Sequence, residues 1–165
     1  MSVNLPDKND YTRLHISAQF GHVVATKLLV ERSAAINNTN KHGNTPVMEA
    51  AYRGKLQTFL YLTEIGADIN ILDANNNTAL HKGAKSGSVD IIKLLLDKGM
   101  SVNLTNKNGS TPLHVSAQFG HLQATKTLVE HGASVNYINR YGETPRVVAG
   151  KNGKYKILRY LTNRR

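Results

Sequence analysis

The 165-residue sequence contains no cysteine, which excludes disulfides, thiolate zinc sites and a cysteine nucleophile. It has no apolar run near the roughly 20 residues a membrane span needs. The first ten residues, MSVNLPDKND, lack the basic and then apolar pattern of a secretory signal. Asn-x-Ser/Thr triplets such as Asn37-Asn38-Thr39 and Asn103-Leu104-Thr105 are taken as chance in an asparagine-rich chain, so the expected location is intracellular, cytoplasmic or nuclear, with a secreted effector role as the alternative. Acids are also scarce, 11 against 21 Lys and Arg, for a formal charge of +10. Residues 139–165 hold eight of the cations and one acid, Glu143, or +7, which leaves +3 for residues 1–138. The excess is therefore a basic C-terminal end. Hydrophobic and charged fractions of 40% and 19% suit a folded domain with a core.

What the chain has in place of these features is a period. Thr12, Thr45, Thr78, Thr111 and Thr144 recur every 33 residues, and Gly21, Gly54, Gly87, Gly120 and Gly153 follow each by nine. Asn37, Asn70, Asn103 and Asn136 keep the same step. Each copy reads as helix, turn, helix and extended loop. In TPVMEAAYRG, Thr45 caps the first amides, Pro46 sits where its missing N–H costs nothing, and Gly54 ends the helix in the left-handed conformation. The second helix, as in SVDIIKLLLDKG, carries an expected apolar stripe of Val89, Ile92, Leu95 and Leu96. Neither helix is long enough to stand alone, so stacked neighbours must complete the core. Gly43, Gly109 and Gly142 precede their threonines by two, where a tight turn wants positive φ. The other copies place Asp10 and Asn76 there, the residue types that best tolerate that region.

A 33-residue period carrying TPLH at 111–114, DIIKLLLDKG at 90–99 and HGASVN at 131–136 resembles ankyrin repeats. The resemblance covers about residues 5–163. It implies an all-α repeat solenoid, a single domain over 1–165 of stacked helix-turn-helix repeats with projecting β-hairpin loops. Repeats are expected at about 7–39, 40–72, 73–105, 106–138 and 139–165. Arg13 and Ala79 depart from the family's proline, Met48 and Val147 from its histidine, and Ser33 from its helix-ending glycine.

The stretches HISAQFGH (15–22) and HVSAQFGH (114–121) invite a search for metal or acid–base chemistry. Gly21 breaks the helix between His15 and His22, so one helical face does not carry both. His15, His81 and His114 match the family's TPLH position, which implies imidazoles tying the hairpin to the helix start. His22 and His121 are expected at the surface, opening the second helices. No nucleophile elbow, Walker or dinucleotide fingerprint is present, and Glu49 with Glu64 makes no convincing acid–base pair. A non-catalytic, monomeric binding module without metal or cofactor is expected.

In the resembled family, partners lie against the hairpin tips and first helices, the concave face. Lys8, Lys41, Lys107 and Arg140 stand at equivalent tip positions, with Ala74 in the third copy. Asn9, His42, Asn108 and Tyr141 neighbour them, and Tyr11 and Asn44 follow. The first-helix ends add Gln19, Phe20, Tyr52, Arg53, Lys85 and Phe119. Phe20 and Phe119 are either exposed anchors or packed between repeats; exposure is the expectation. Such a surface suits a protein or peptide mixing acidic and apolar groups, its identity open. The rival reading is binding of nucleic acid or another polyanion through the basic surface, although no nucleic-acid motif is recognisable. A second basic row of Lys27, Lys93, Lys126 and Arg159 on the second helices reads as a solvated face, and Leu60 with Ile65 as a small apolar patch. The resemblance further implies Asn37, Asn70, Asn103 and Asn136 as positions open to hydroxylation.

Residues 1–31 and 100–130 agree at 22 of 31 positions, an offset of three periods, so the two HxSAQFGH stretches are one structural moment repeated. Met1–Leu5 match Met100–Leu104, which suggests that residues 1–6 are the remnant of a preceding hairpin. Arg146, Lys151, Lys154, Lys156, Arg159, Arg164 and Arg165 fit a polar terminal cap.

Overall fold

A computed structural model describes residues 2–164; Met1 of the Met1–Leu5 match and Arg165 of the C-terminal cluster lie outside the described residues. The described residues form ten helices and no strand, divided between two compact units, Met1–Ala79 and Leu80–Arg165.

The first unit contains α1 (Arg13–Phe20), α2 (Val23–Glu31), α3 (Pro46–Tyr52) and α4 (Leu56–Glu64). The first helix of each pair starts on a threonine cap, whereas α2 and α4 begin without a side-chain cap. Thr12 Oγ1 accepts from His15 N and Thr45 Oγ1 from Met48 N, both at 3.4 Å, and Pro46 occupies the first turn of α3. Gly21 ends α1 at φ 76°, and Ser33, in place of a glycine, adopts φ 63° after α2. Consecutive helices form antiparallel pairs, with α1 packed on α3 and α2 on α4. Leu14, Val47, Met48, Phe59 and Leu62 make its core, Met48 filling the place that histidine holds in other copies.

The second unit contains α5 (Ala79–Ser86) apart from its first residue, α6 (Val89–Asp97), α7 (Pro112–Phe119), α8 (Leu122–Glu130), α9 (Pro145–Lys151) and α10 (Tyr155–Thr162). Here α7 packs on α9, α6 on α8 and α8 on α10. Ile91, Ile92, Leu95, Leu113, Leu128 and Ile157 are fully buried. The stripe of α6 is thus rotated from the expected one. Ile91 joins Ile92 and Leu95 inside, while Val89 and Leu96 are only half-buried, because the helix is covered on more than one side.

The projecting loops also differ from the expected β-hairpins. Neighbouring tips are joined by single backbone bonds, Lys41 N to Asn9 O (3.2 Å), Ala74 N to His42 O (2.8 Å) and Arg140 N to Asn108 O (2.9 Å). Single bonds between turns build no ladder, so no strand results.

Candidate interaction surface

Each loop tip is held from within by one side chain. Asp7 Oδ1 accepts from Asn9 N (2.8 Å) and Tyr11 N (3.0 Å), and Asn40 Oδ1 from His42 N (2.9 Å) and Asn44 N (3.1 Å). Asp73 serves Asn75 and Asn77 in the same way, Asn106 serves Asn108 and Ser110, and Asn139 serves Tyr141 and Glu143. These Asx turns leave the intervening side chain pointing away from a rigid loop. Sequence reasoning overlooked them, although 7, 40, 73, 106 and 139 obey the 33-residue step and are all Asp or Asn. Gly43 is required for a close approach as well as for its φ of 75°, since a Cβ there would lie 2.5 Å from Ala74 N.

Imidazoles lock the loops to the helices. His15 Nδ1 accepts from Thr12 N (3.2 Å) while Nε2–H donates to the Asn44 carbonyl (2.9 Å); His114 repeats this between Thr111 (3.2 Å) and Glu143 (3.0 Å). Burial lowers the pKa of both rings, against the opposing pull of the carbonyls they donate to. His81 Nε2 reaches the Ser110 carbonyl at 3.0 Å. His22 and His121 do open α2 and α8. His22 is exposed, whereas His121 is half-buried and bonds the Lys85 carbonyl at 3.0 Å, which the surface expectation missed.

On this frame Lys8, Lys41, His42, Lys107, Asn108, Arg140 and Tyr141 are exposed and Asn9 is half-buried. Lys41 Nζ donates to Asn9 Oδ1, which couples those two tips. At the first-helix ends Phe20 is 59% and Phe119 42% exposed. Phe20 stacks on His22 with centroids 6.0 Å apart, and Lys85 Nζ stands 5.3 Å from the Phe119 ring centre. Arg53 lies over Tyr52 at 5.0 Å; Arg53 is exposed, and Gln19, Tyr52 and Lys85 are half-buried.

Two expected contact residues are already engaged. Asn44 is buried, its amide donating to Glu49 Oε1 at 2.9 Å, so it cannot reach a partner. Tyr11 is half-buried and donates its hydroxyl to the same oxygen at 3.2 Å; burial and the nearby carboxylate raise its pKa. Asn40 is the third donor to Glu49 Oε1 (3.2 Å). Glu49 is therefore a buried structural acceptor, while Glu64 is exposed. Of the periodic asparagines, Asn37 accepts from Asp68 N and Asn103 from Ser134 N, both at 2.9 Å; Asn37, Asn70 and Asn136 are exposed and Asn103 half-buried.

A family model described as "Ankyrin repeats (3 copies)" matches residues 1–73 and 80–165. The chain belongs to the ankyrin-repeat family. Ankyrin repeats are in general protein-interaction modules, and rigid Asx-turned tips carrying variable side chains supply what such a module needs. A 58-residue segment is 40% identical to alpha-latrotoxin-Lhe1a of Latrodectus hesperus and, equally, to alpha-latrotoxin-Lt1a of Latrodectus tredecimguttatus. That segment is 34% of this chain and 4% of either toxin. An ankyrin repeat-containing protein of Schizosaccharomyces pombe is 40% identical over 47 residues, 28% of this chain and 23% of the yeast protein. The matches thus span small parts of these relatives. Among the described residues no helix is long and apolar enough to cross a membrane, and no group of three or more His, Asp or Glu could hold a metal.

Proposed function

We propose that this ankyrin domain is a monomeric, non-catalytic intracellular module whose loop tips and first-helix ends bind a protein surface or peptide of mixed acidic and apolar character. The observation that carries this reading is the pairing of exposed aromatics with cations. Phe20 and Phe119 are exposed at equivalent positions, and Lys8, Lys41, Lys107 and Arg140 stand exposed on tips held by Asx turns. Aromatic anchors gain apolar contact, and cations held on rigid loops lose little entropy on pairing with acids. Asn44 drops out of the contact set, and the Tyr11 hydroxyl is already engaged by Glu49.

Affinity capture with the wild type and with a Lys8→Glu/Lys41→Glu/Lys107→Glu/Arg140→Glu variant tests the reading. The variant loses the specific partner; an unchanged set of interactors sinks it. The charge of +10 favours a second reading, polyanion binding. Counterion release would then make affinity collapse by about 0.3 M salt, whereas aromatic anchoring persists and is lost in a Phe20→Ala/Phe119→Ala variant.

A further inference from the structure

Position 146 breaks the pattern of the copies before it. Leu14, Val47, Leu80 and Leu113, at the same step, are all buried, whereas Arg146 is exposed. It opens onto a cavity of about 340 Å³ within the second unit, a volume at the small end of ligand pockets. Val135 and Leu161 give the cavity an apolar wall, and Arg164 is its second cation. The Arg164 guanidinium lies 5.1 Å from the Tyr160 ring centre, a contact that steadies the side chain without using a hydrogen-bond donor.

Neither arginine is neutralised. Among the described residues neither has an ion pair, and Glu143, the one acid of residues 139–165, is held by Lys151. Uncharged donors join them on the lining. Asn37 and Asn103 accept from Asp68 N and Ser134 N, but Asn136, at the same step, makes no such bond and faces the cavity. Thr144 Oγ1 accepts from Val147 N at 3.4 Å, which leaves its O–H proton to donate. Thr162, also on the lining, is already engaged, its hydroxyl donating to the Leu158 carbonyl at 2.7 Å.

The wall thus offers two guanidiniums, an amide and a hydroxyl, and no carboxylate. Guanidinium forks suit the oxygens of a phosphoryl group, and a phosphate monoester carries about −1.5 to −2 near neutral pH. Two arginines balance that charge, whereas a single carboxylate would leave one of them uncompensated. We propose that this cavity is a binding site for a phosphate monoester, with Arg146 and Arg164 on the phosphoryl oxygens and the carbon stem against Val135 and Leu161. None of these residues belongs to the partner surface proposed above, so the two readings stand or fall separately.

The test titrates the isotope-labelled full chain at about 0.15 M salt with glycerol phosphate, with a capped phosphoserine and with a capped glutamate as control. Both esters are expected to saturate the amide shifts of Asn136 and Thr144, and glutamate to bind about tenfold more weakly. Equal affinity for the two esters identifies a free phosphorylated metabolite as the source; a preference for phosphoserine identifies a phosphorylated protein. Arg146→Leu installs the residue that is buried at Leu14, Leu80 and Leu113, so it should keep Tm while lowering ester affinity about tenfold. Arg164→Gln, an exposed position beyond the end of α10, should lower it equally and carries the test if Arg146→Leu disturbs the fold. Shifts that never saturate, equal affinity for glutamate, or ester binding unchanged in both variants overturns the proposal.

Discussion

His15 Nε2 donates to the backbone carbonyl of Asn44, 29 residues away, at 2.9 Å, while its Nδ1 accepts from Thr12 N. One neutral ring thus fastens the start of α1 to the next loop. His15→Ala leaves a buried carbonyl and amide unpaired and opens a cavity, so it is expected to cost about 3 kcal/mol in urea denaturation.

The same geometry sets a pH dependence. Protonating Nδ1 destroys its acceptor role, and burial holds His15 and His114 below their ordinary value of 6.5. The unfolded chain therefore binds protons first as pH falls, which makes stability rise with pH in this window. Tm should be constant above neutrality, decline as pH drops below 6.5, and level off once the folded rings also protonate. A His15→Gln/His114→Gln variant, scanned across the same range, should show a shallower decline.

Glu49 Oε1 gathers Tyr11, Asn40 and Asn44. Glu49→Ala strands these donors and is expected to cost about 3 kcal/mol, whereas Glu49→Gln keeps an acceptor oxygen and costs about 1 kcal/mol. The Gln variant also removes the charge that helps raise the Tyr11 pKa, leaving burial as the main cause, so ultraviolet titration should find Tyr11 ionising at lower pH than in the wild type.

Ser33 holds φ 63° where a side chain is strained. Ser33→Gly should stabilise the fold by about 1 kcal/mol, raising Tm by a few degrees in calorimetry.

The loop asparagines carry an expectation of their own. If Asn37, Asn70, Asn103 or Asn136 is hydroxylated in the source cell, intact-mass measurement of the native protein will show the mass of one added oxygen per site; an unmodified mass removes the proposal.

Much of the fold was legible because its local rules are one-residue rules. Threonine caps, left-handed glycines and their Asp10 and Asn76 substitutes repeat at a fixed step, and each acts within a turn or two of itself. The aromatic pair Phe20 and Phe119 was legible as a repeated position, and the tip cations as a row. Accessibility was not. Asn44 looks like any tip residue in the sequence, but Glu49 on the following helix captures its amide. Likewise Ile91 joins the core of α6 because burial there depends on which neighbours cover the helix, a matter that a periodic stripe leaves open. The sequence alone determined the helices, turns and family, since these follow from chemistry local to each copy. Only the tertiary structure decided that Ile16 and Leu28 are bare while Val115 and Thr127 are buried. Near-identical helices bury or expose the same positions according to what is stacked against them.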